Sequence, residues 1–393
     1  MKINIFDSRI KQRDLTAIQL NETDFHPCRP FFLSHPELLP ESAEKVSIRG
    51  ILEHTLYIRY VLKIADSLLK NRGSLEIYFF STALDNGGNP FRVIASLMYE
   101  LSICFKERFR LIMNDKNGNL HKLVFEKIRP TLPVEDSIDS WSFGIVSDGR
   151  KNNRVIEIIN QIVQFSIPNF EILVCGPSPV EKLPEFVKVI DDIDLYFDDR
   201  IPISKKKNRI VKIAKYNNLI LLHDRISFPV DWYKNISLHG NYFDCLCIRI
   251  IDEDTQLNRI QDWMGTSLDH YDFMKINPRI NNLEYTDWVP NWNINGGFMI
   301  IKKHLIERVK LNPYLHWGEC EDGDLCRRLD ADGLCPTLFT GAYVLTQTHR
   351  LIVAKRRRGM LLFAQKLKGK IYSYWGFYQR KKLFRKYLSE VML

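Results

Sequence analysis

Between Trp141 and Leu222 the chain switches repeatedly between short apolar runs and segments with apolar residues at helical spacing, a pattern that few folds accommodate. Trp141–Ser147 reads as a strand and Phe170–Cys175 as the next, separated by a helix over Arg154–Phe165 with Val155, Ile158, Ile159, Ile162 and Val163 on one face. Ser204, Lys205, Lys206, Lys207 and Asn208 then precede an amphipathic helix and a buried strand, Leu219–Leu222, which ends at His223, Asp224 and Arg225. Strands alternating with helices predict an α/β fold, a parallel sheet with helices on both faces. In such sheets ligands bind beyond the carboxyl ends of the strands, here Ser147–Arg150, Cys175–Ser178 and His223–Arg225.

At 393 residues and 45% hydrophobic, the chain can bury a sizeable core and has room for two domains. Composition separates three zones: 1–139, 140–350 and 351–393. The first ends in a connector marked by Pro130, Pro133, Glu135, Asp136 and Asp139. Within it, Ile51–Leu69 has helical periodicity and stops at Asn71, Arg72 and Gly73, after which Ser74–Phe80 reads as a buried strand. A second helix is predicted over Pro90–Phe105.

The formal charge of +9 is unevenly placed. Residues 355–393 carry twelve Lys or Arg against the single Glu390, so the remainder of the chain is slightly acidic. Any anionic partner that the basic balance implies therefore belongs to the tail. The eight cysteines form no CxxC pair and have no His at zinc-ligand spacing, which predicts reduced thiols in a cytoplasmic protein. Charged residues interrupt the apolar runs of Met1–Lys11, so no signal peptide is expected, and no run of about 18 apolar residues offers a membrane span.

The best sign of chemistry is an acidic cluster. Glu319, Glu321, Asp322 and Asp324 follow Trp317 and Gly318, shortly after Asn295, Gly296 and Gly297. Carboxylates so crowded raise each other's pKa unless a cation, a donor or a substrate hydroxyl lies among them. The plain alternative is an acidic helix start, since Asp and Glu favour the first turn of a helix such as Leu325–Asp330.

Taken in order, Lys206, Lys207 and Asn208, then His223 and Asp224, then Asn295–Gly297, then Trp317–Asp324 with Arg328 resemble a family 2 type glycosyltransferase of the GT-A fold, a Rossmann-like nucleotide-diphospho-sugar transferase, over about half the chain. The resemblance implies that Asp224 is the metal-binding aspartate of a DxD element, holding Mn²⁺ or Mg²⁺. Leu222 and Ile226 occupy the positions where a second carboxylate would stand, so the element is incomplete. His349 is the candidate that would complete the coordination. Asp322 falls at the catalytic base, which would deprotonate the acceptor hydroxyl with inversion at the anomeric carbon, and Glu321 would orient the acceptor or adjust that base. Asp148, Lys206, Asn208, His223, Asp224, Gly296 and Gly297 are the implied nucleotide-sugar contacts, the two glycines letting the backbone approach the donor sugar. Trp292, Trp317 and Glu319 are candidates for the acceptor. For each there is a plainer role: lysine runs are solvated helix starts, tryptophans are core, and glycines mark bulges.

Residues around 45–130, with Leu52, Glu53, His54, Leu68, Leu69, Lys70, Gly73, Leu75 and Ile77, resemble the later half of a class I methyltransferase. No glycine precedes Gly50, so the cofactor-binding turn of that family is missing and a non-catalytic, methyltransferase-like remnant is expected. In the tail, Phe363, Ala364, Leu367, Ile371, Tyr374, Trp375 and Tyr378 recur at helical spacing beside Lys366, Lys370, Arg380, Lys381 and Lys382, which suits a helix on an anionic membrane surface. The expectation is a cytoplasmic enzyme, peripheral at the inner face of the membrane. It would act on a saccharide or lipid-linked acceptor in envelope polysaccharide or glycan assembly, with no nucleic acid partner. The alternatives are a non-catalytic sugar-nucleotide-binding or scaffolding protein of the same fold, and an RNA binder acting through the tail.

Overall fold

The computed structural model describes residues 2–6, 18–21, 24–51, 58–80, 97–101, 105, 108–130, 137–180, 182–196, 200–254, 256, 260–266, 280–287 and 292–347. The chain divides into two compact units, Met1–Glu135 and Asp136–Leu393. Among the described residues no helix is long and apolar enough to cross a membrane.

The first unit holds strands β1 (Lys2–Phe6), β2 (Ile18–Asn21), β3 (Ala43–Arg49), β4 (Leu69–Phe80), β5 (Phe109–Asn117) and β6 (Leu120–Lys127), with helices α1 (Phe31–Ser34) and α2 (Ile58–Leu68). They form one sheet in the order β2-β1-β3-β4-β6-β5. The first four strands run parallel, β6 is antiparallel to β4, and β5 returns antiparallel to β6. Tyr60, Val61, Ile64, Ala65 and Leu68 of α2 are buried, and the helix contacts β3 and β4. The sequence predicts a break at Asn71–Gly73 and a strand from Ser74, but β4 begins at Leu69 and carries the break within it. Its register with β3 slips between Ala43 and Lys45, Arg72 takes φ +67°, and a Cβ on Gly73 would lie 2.8 Å from the Lys70 carbonyl oxygen. The turn signal is answered by a bulge. Of the helix expected over Pro90–Phe105, residues 97–101 are helical and most of the remainder lies outside the described residues.

The second unit contains β7 (Ser140–Val146), β8 (Asn169–Cys175), β9 (Val187–Ile190), β10 (Asn218–His223), β11 (Ile226–Ser227), β12 (Cys245–Asp252), β13 (Met264–Thr266), β14 (Ile280–Asn282), β15 (Trp292–Asn293), β16 (Phe298–Lys302) and β17 (Pro336–Thr346). Its helices are α3 (Asn152–Gln164), α4 (Ile203–Ile213), α5 (Trp232–His239), α6 (Lys303–Val309) and α7 (Glu321–Ala331). The main sheet has the order β11-β17-β12-β16-β10-β7-β8-β9, and β14-β13-β15 form a small second sheet. Strands β9, β8, β7 and β10 are parallel, as the alternation predicts. The all-parallel expectation fails beyond them, because β16 lies antiparallel between β10 and β12 and β11 is antiparallel to β17. Apolar runs such as Phe298–Ile301 report burial on both faces but carry no direction.

Aromatic rings cluster in the core of this unit. Trp141 meets Trp232 at 5.7 Å between ring centroids, Phe228 meets Trp232 at 5.1 Å, and Phe143 meets Phe228 at 6.1 Å. Burying each such ring contributes about 1.5–3 kcal/mol or more. This core sets the parallel strands in register, with Val146 opposite Cys175 and His223 opposite Val146. The strand tips foreseen in the sequence therefore end level on one edge. Because β16 is antiparallel to β10, with Leu222 opposite Phe298, its leading turn Asn295–Gly297 arrives at that same edge.

Candidate functional site

Beyond β10, the Asp224 N–H donates to the Val146 carbonyl at 3.3 Å, and Ser147 Oγ donates to Asp224 Oδ2 at 3.1 Å. Burial raises the pKa of the Asp224 carboxyl, and the nearby Asp148 charge raises it further. Asp148 accepts from the Arg150 N–H at 3.0 Å and pairs with the Arg150 guanidinium. One residue before Asp224, the His223 N–H donates to the Gly297 carbonyl at 3.0 Å, which ties the tip of β10 to the glycine turn.

That turn is shaped by Asn295, whose Oδ1 accepts from the Gly297 N–H at 2.7 Å. The Gly296 N–H donates to Asp322 Oδ2 at 2.8 Å. A Cβ on Gly296 would sit 2.8 Å from Glu321 Oε1 and 2.9 Å from Asp322 Oδ2, and one on Gly297 would sit 2.5 Å from an Arg225 guanidinium nitrogen. Both positions thus admit the Glu321, Asp322 and Arg225 side chains, a packing reason for glycine that the sequence does not supply.

The acidic cluster is indeed a helix start, with Glu321, Asp322 and Asp324 in the first turn of α7, each favourable to the helix dipole by about 0.3–1 kcal/mol. Their partners nevertheless differ. Asp324 pairs with Arg328 one turn on, at 2.6 Å. Glu321 is buried against Lys207 at 3.0 Å. Asp322 accepts from Gly296 on one oxygen and from the Gly323 N–H, at 2.8 Å, on the other. Burial and the Glu321 charge raise the Asp322 pKa, while Lys207 and the two N–H groups hold the rise back. Two fixed donors and a raised proton affinity orient this carboxylate and make it a stronger base than an exposed aspartate.

Lys206 and Lys207 are fully buried, so the picture of a solvated lysine run is corrected for both. They lie inside α4 rather than ahead of it, on the face that meets the strand tips. Lys206 Nζ donates to the Ser147 carbonyl at 2.7 Å and pairs with Asp192, and although burial would lower its pKa, Asp192 and Tyr196 hold it above the usual lysine value. Lys207 Nζ donates to the Gly296 carbonyl at 2.7 Å as well as to Glu321. Asn208, expected at the nucleotide, instead donates to the Leu311 carbonyl at 2.7 Å and accepts from the Leu311 N–H at 2.9 Å. Buried ammonium groups and amides require partners, and here the protein supplies them.

Trp292 is 3% exposed and belongs to the core, which corrects its expected place as an acceptor platform. Trp317 is 49% exposed just ahead of α7. Glu319 accepts from Arg200 at 3.3 Å and from the His316 N–H at 3.0 Å. His349 and the tail 351–393 lie outside the described residues. No group of three His, Cys, Asp or Glu side chains suited to a metal ion occurs among the described residues. Sequence reasoning passed over Asp192, gave Ser147 and Arg225 only as strand-end positions, and did not couple Lys207 to Glu321. No local signal marks that pairing, since the two residues are 114 positions apart.

No protein-family model matches the chain, and no curated protein matches it by sequence. Solved structures similar to it include S. aureus TarS 1–349, with a TM-score of 0.37 and 14% identity over 53% of this chain and 60% of that one. The same protein in complex with UDP-GlcNAc gives 0.36 and 13% over 56% and 60%. The mannosyltransferase PcManGT from Pyrobaculum calidifontis, in complex with GDP-Man and Mn²⁺, gives 0.37 and 10% over 66% of each chain. The chain spans about three fifths of the length of the TarS structure.

Proposed function

We propose that this chain is an inverting glycosyltransferase of GT-A type that moves a sugar from a nucleotide-sugar donor to a saccharide or lipid-linked acceptor. One observation carries the proposal: His223 N–H bonds to the Gly297 carbonyl and Gly296 N–H bonds to Asp322, so Asp224 and Asp322 stand at the same sheet edge, joined through two adjacent glycines. Asp322 would take the proton of the acceptor hydroxyl as its oxygen attacks the anomeric carbon and the nucleoside diphosphate departs with the electrons of the broken bond. A base so positioned accelerates the step by about 10²- to 10⁴-fold. Glu321, held by Lys207, keeps a negative charge beside Asp322 and so strengthens it as a base.

Asp224, Asp148 and the Ser147 hydroxyl form an oxygen-rich set whose two carboxylates repel each other. Such a set fits Mn²⁺ or Mg²⁺, which bind through one or two carboxylates together with substrate phosphates. When bound there, the cation would supply charge neutralisation for the departing diphosphate. Within the same proposal, residues 140–350 are the transferase domain and residues 1–139 a non-catalytic methyltransferase-like remnant. Residues 351–393 are a basic segment that meets an anionic inner membrane face, where lipid-linked acceptors of envelope polysaccharide assembly reside.

The test is a thermal-shift screen of nucleotide sugars with and without Mn²⁺, followed by detection of released nucleoside diphosphate. Binding with turnover that Asp322→Asn removes is expected. Binding without turnover would indicate a sugar-nucleotide-binding scaffold, and the absence of any bound nucleotide sugar would end the proposal.

A further inference from the structure

Strand β5 is an edge of the first unit's sheet, with β6 as its partner among the described residues. Residues 110–117 are exposed along its whole length, including three consecutive apolar side chains: Leu111 at 37%, Ile112 at 56% and Met113 at 45%. Edge strands are normally protected by proline, by inward-pointing charge or by a covering element, because their outward N–H and C=O groups template another strand. The nine residues contain no proline and are apolar at the centre, with Arg110, Asp115 and Lys116 towards the ends. The register with β6 also carries a bulge. Leu111 lies opposite Phe125 and Met113 opposite Val124, so Ile112 is the extra residue.

That bulge has a consequence for charge. Arg110, Met113 and Asp115 lie opposite Glu126, Val124 and Lys122, alternate residues of β6 that project from one face of the sheet. In a regular strand Arg110 and Asp115, five positions apart, would point to opposite faces, whereas the inserted Ile112 brings them to the same one. If two copies of β5 pair antiparallel about a two-fold axis with Arg110 opposite the second copy's Asp115, then Leu111 faces Asn114, Ile112 faces Met113 and Phe109 faces Lys116. Both copies then make the same ion pair, and the apolar residues meet at the centre. Sliding the pairing by two residues puts Arg110 opposite Asn117 or Met113 and breaks both Arg110–Asp115 pairs. Arg110 already pairs with Glu126 through one guanidinium nitrogen, and the remaining N–H groups of the fork can serve a second carboxylate.

We propose that β5 is a self-pairing surface through which two copies of this chain associate, their sheets continuing into one another across the two-fold axis in the register that sets Arg110 opposite Asp115. Main-chain hydrogen bonds give the affinity and the ion pairs give the register.

Sedimentation and light scattering of the full chain over a range of concentrations test this. A concentration-dependent dimer is expected. Ile112→Lys, Arg110→Asp and Asp115→Arg should each weaken it by about tenfold or more, since like charges directly opposite oppose pairing. Arg110→Asp combined with Asp115→Arg should recover part of the dimer, since the swap restores the pairs between copies but sets like charges opposite Glu126 and Lys122 within each sheet. Hydrogen exchange on the unaltered chain is a second measurement that needs no variant: the β5 amides should gain protection as concentration rises. A monomer at every concentration would overturn the proposal. So would a dimer that ignores these substitutions, or β5 amides whose exchange is independent of concentration.

Discussion

Lys207 Nζ lies 3.0 Å from Glu321 Oε1 and 2.7 Å from the Gly296 carbonyl oxygen, in a position where neither charged side chain is solvated. The pair bridges α4 to the first turn of α7 and holds the glycine turn between them.

Truncating one partner of a buried pair leaves the other charge uncompensated, which costs about 3–5 kcal/mol. Lys207→Met should therefore lower the denaturation midpoint strongly, and Glu321→Gln should do so as well. The double variant should lose less than the two single losses combined. Denaturant unfolding of all four proteins measures this coupling, and simple additivity would show that the pair does not act as a unit.

Asp322→Asn removes a charge that burial and Glu321 disfavour and keeps one oxygen to accept from the Gly296 N–H, while its amide nitrogen cannot accept from the Gly323 N–H. A carboxyl whose folded pKa is raised contributes stability that is fully present below its unfolded pKa and is lost as pH rises through its folded pKa. Above the folded pKa the ionised carboxylate carries this penalty and the amide does not, so the melting point of the variant relative to the parent should rise with pH as Asp322 ionises. Each kcal/mol of relief corresponds to about 2–4 °C in a unit of this size. The difference should shrink as pH falls through the range where Asp322 protonates. Turnover should fall by about 10²- to 10⁴-fold. Calorimetry at neutral and acid pH, beside a product assay, checks the trade of stability against activity.

The acid limb of the rate profile should follow Asp322, which must be ionised to accept a proton. Because Glu321 raises the Asp322 pKa, Glu321→Gln should move that limb to lower pH. It should also lower the limiting rate, since a weaker base takes the proton less readily. A limb that stays in place would remove Asp322 as the titrating group.

A methyl group on Gly296 would press on Glu321 and Asp322 at 2.8 and 2.9 Å, whereas one on Gly323, in the first turn of α7, would meet nothing nearer than 3.5 Å. Gly296→Ala should therefore cost about 1–3 kcal/mol and most of the activity, by displacing the start of α7. Gly323→Ala lies within a helix and should be neutral or stabilising by about 0.5–1 kcal/mol. Thermal melts and turnover of the two variants side by side test whether the close packing at Gly296 matters.

Much of the α/β core was legible in the sequence. The strands around Phe143, Ile172 and Ile220 and the helix around Ile158 sit within a residue or two of their expected limits, because burial on two faces or on one helical stripe leaves a periodic trace. The candidate site was legible only as a set of positions. Asn295, Gly296, Asp322 and Asp224 do gather at one edge, yet Lys206, Asn208 and Trp292 turn to the protein itself rather than to an open cleft. A lysine or a tryptophan reads the same in sequence whether its partner is a ligand or a buried carboxylate.

Local periodicity was enough to place β7, α3, β8 and β10 and the residues at which those parallel strands end, since both follow from spacing within a few turns of chain. Only the tertiary structure decided that β16 runs backwards, that Lys207 neutralises Glu321, and that Gly296 is a glycine because two carboxylates pack against it. Each of these is a contact between segments tens of residues or more apart. Its energy depends on distance in space, and spacing along the chain holds no record of that distance.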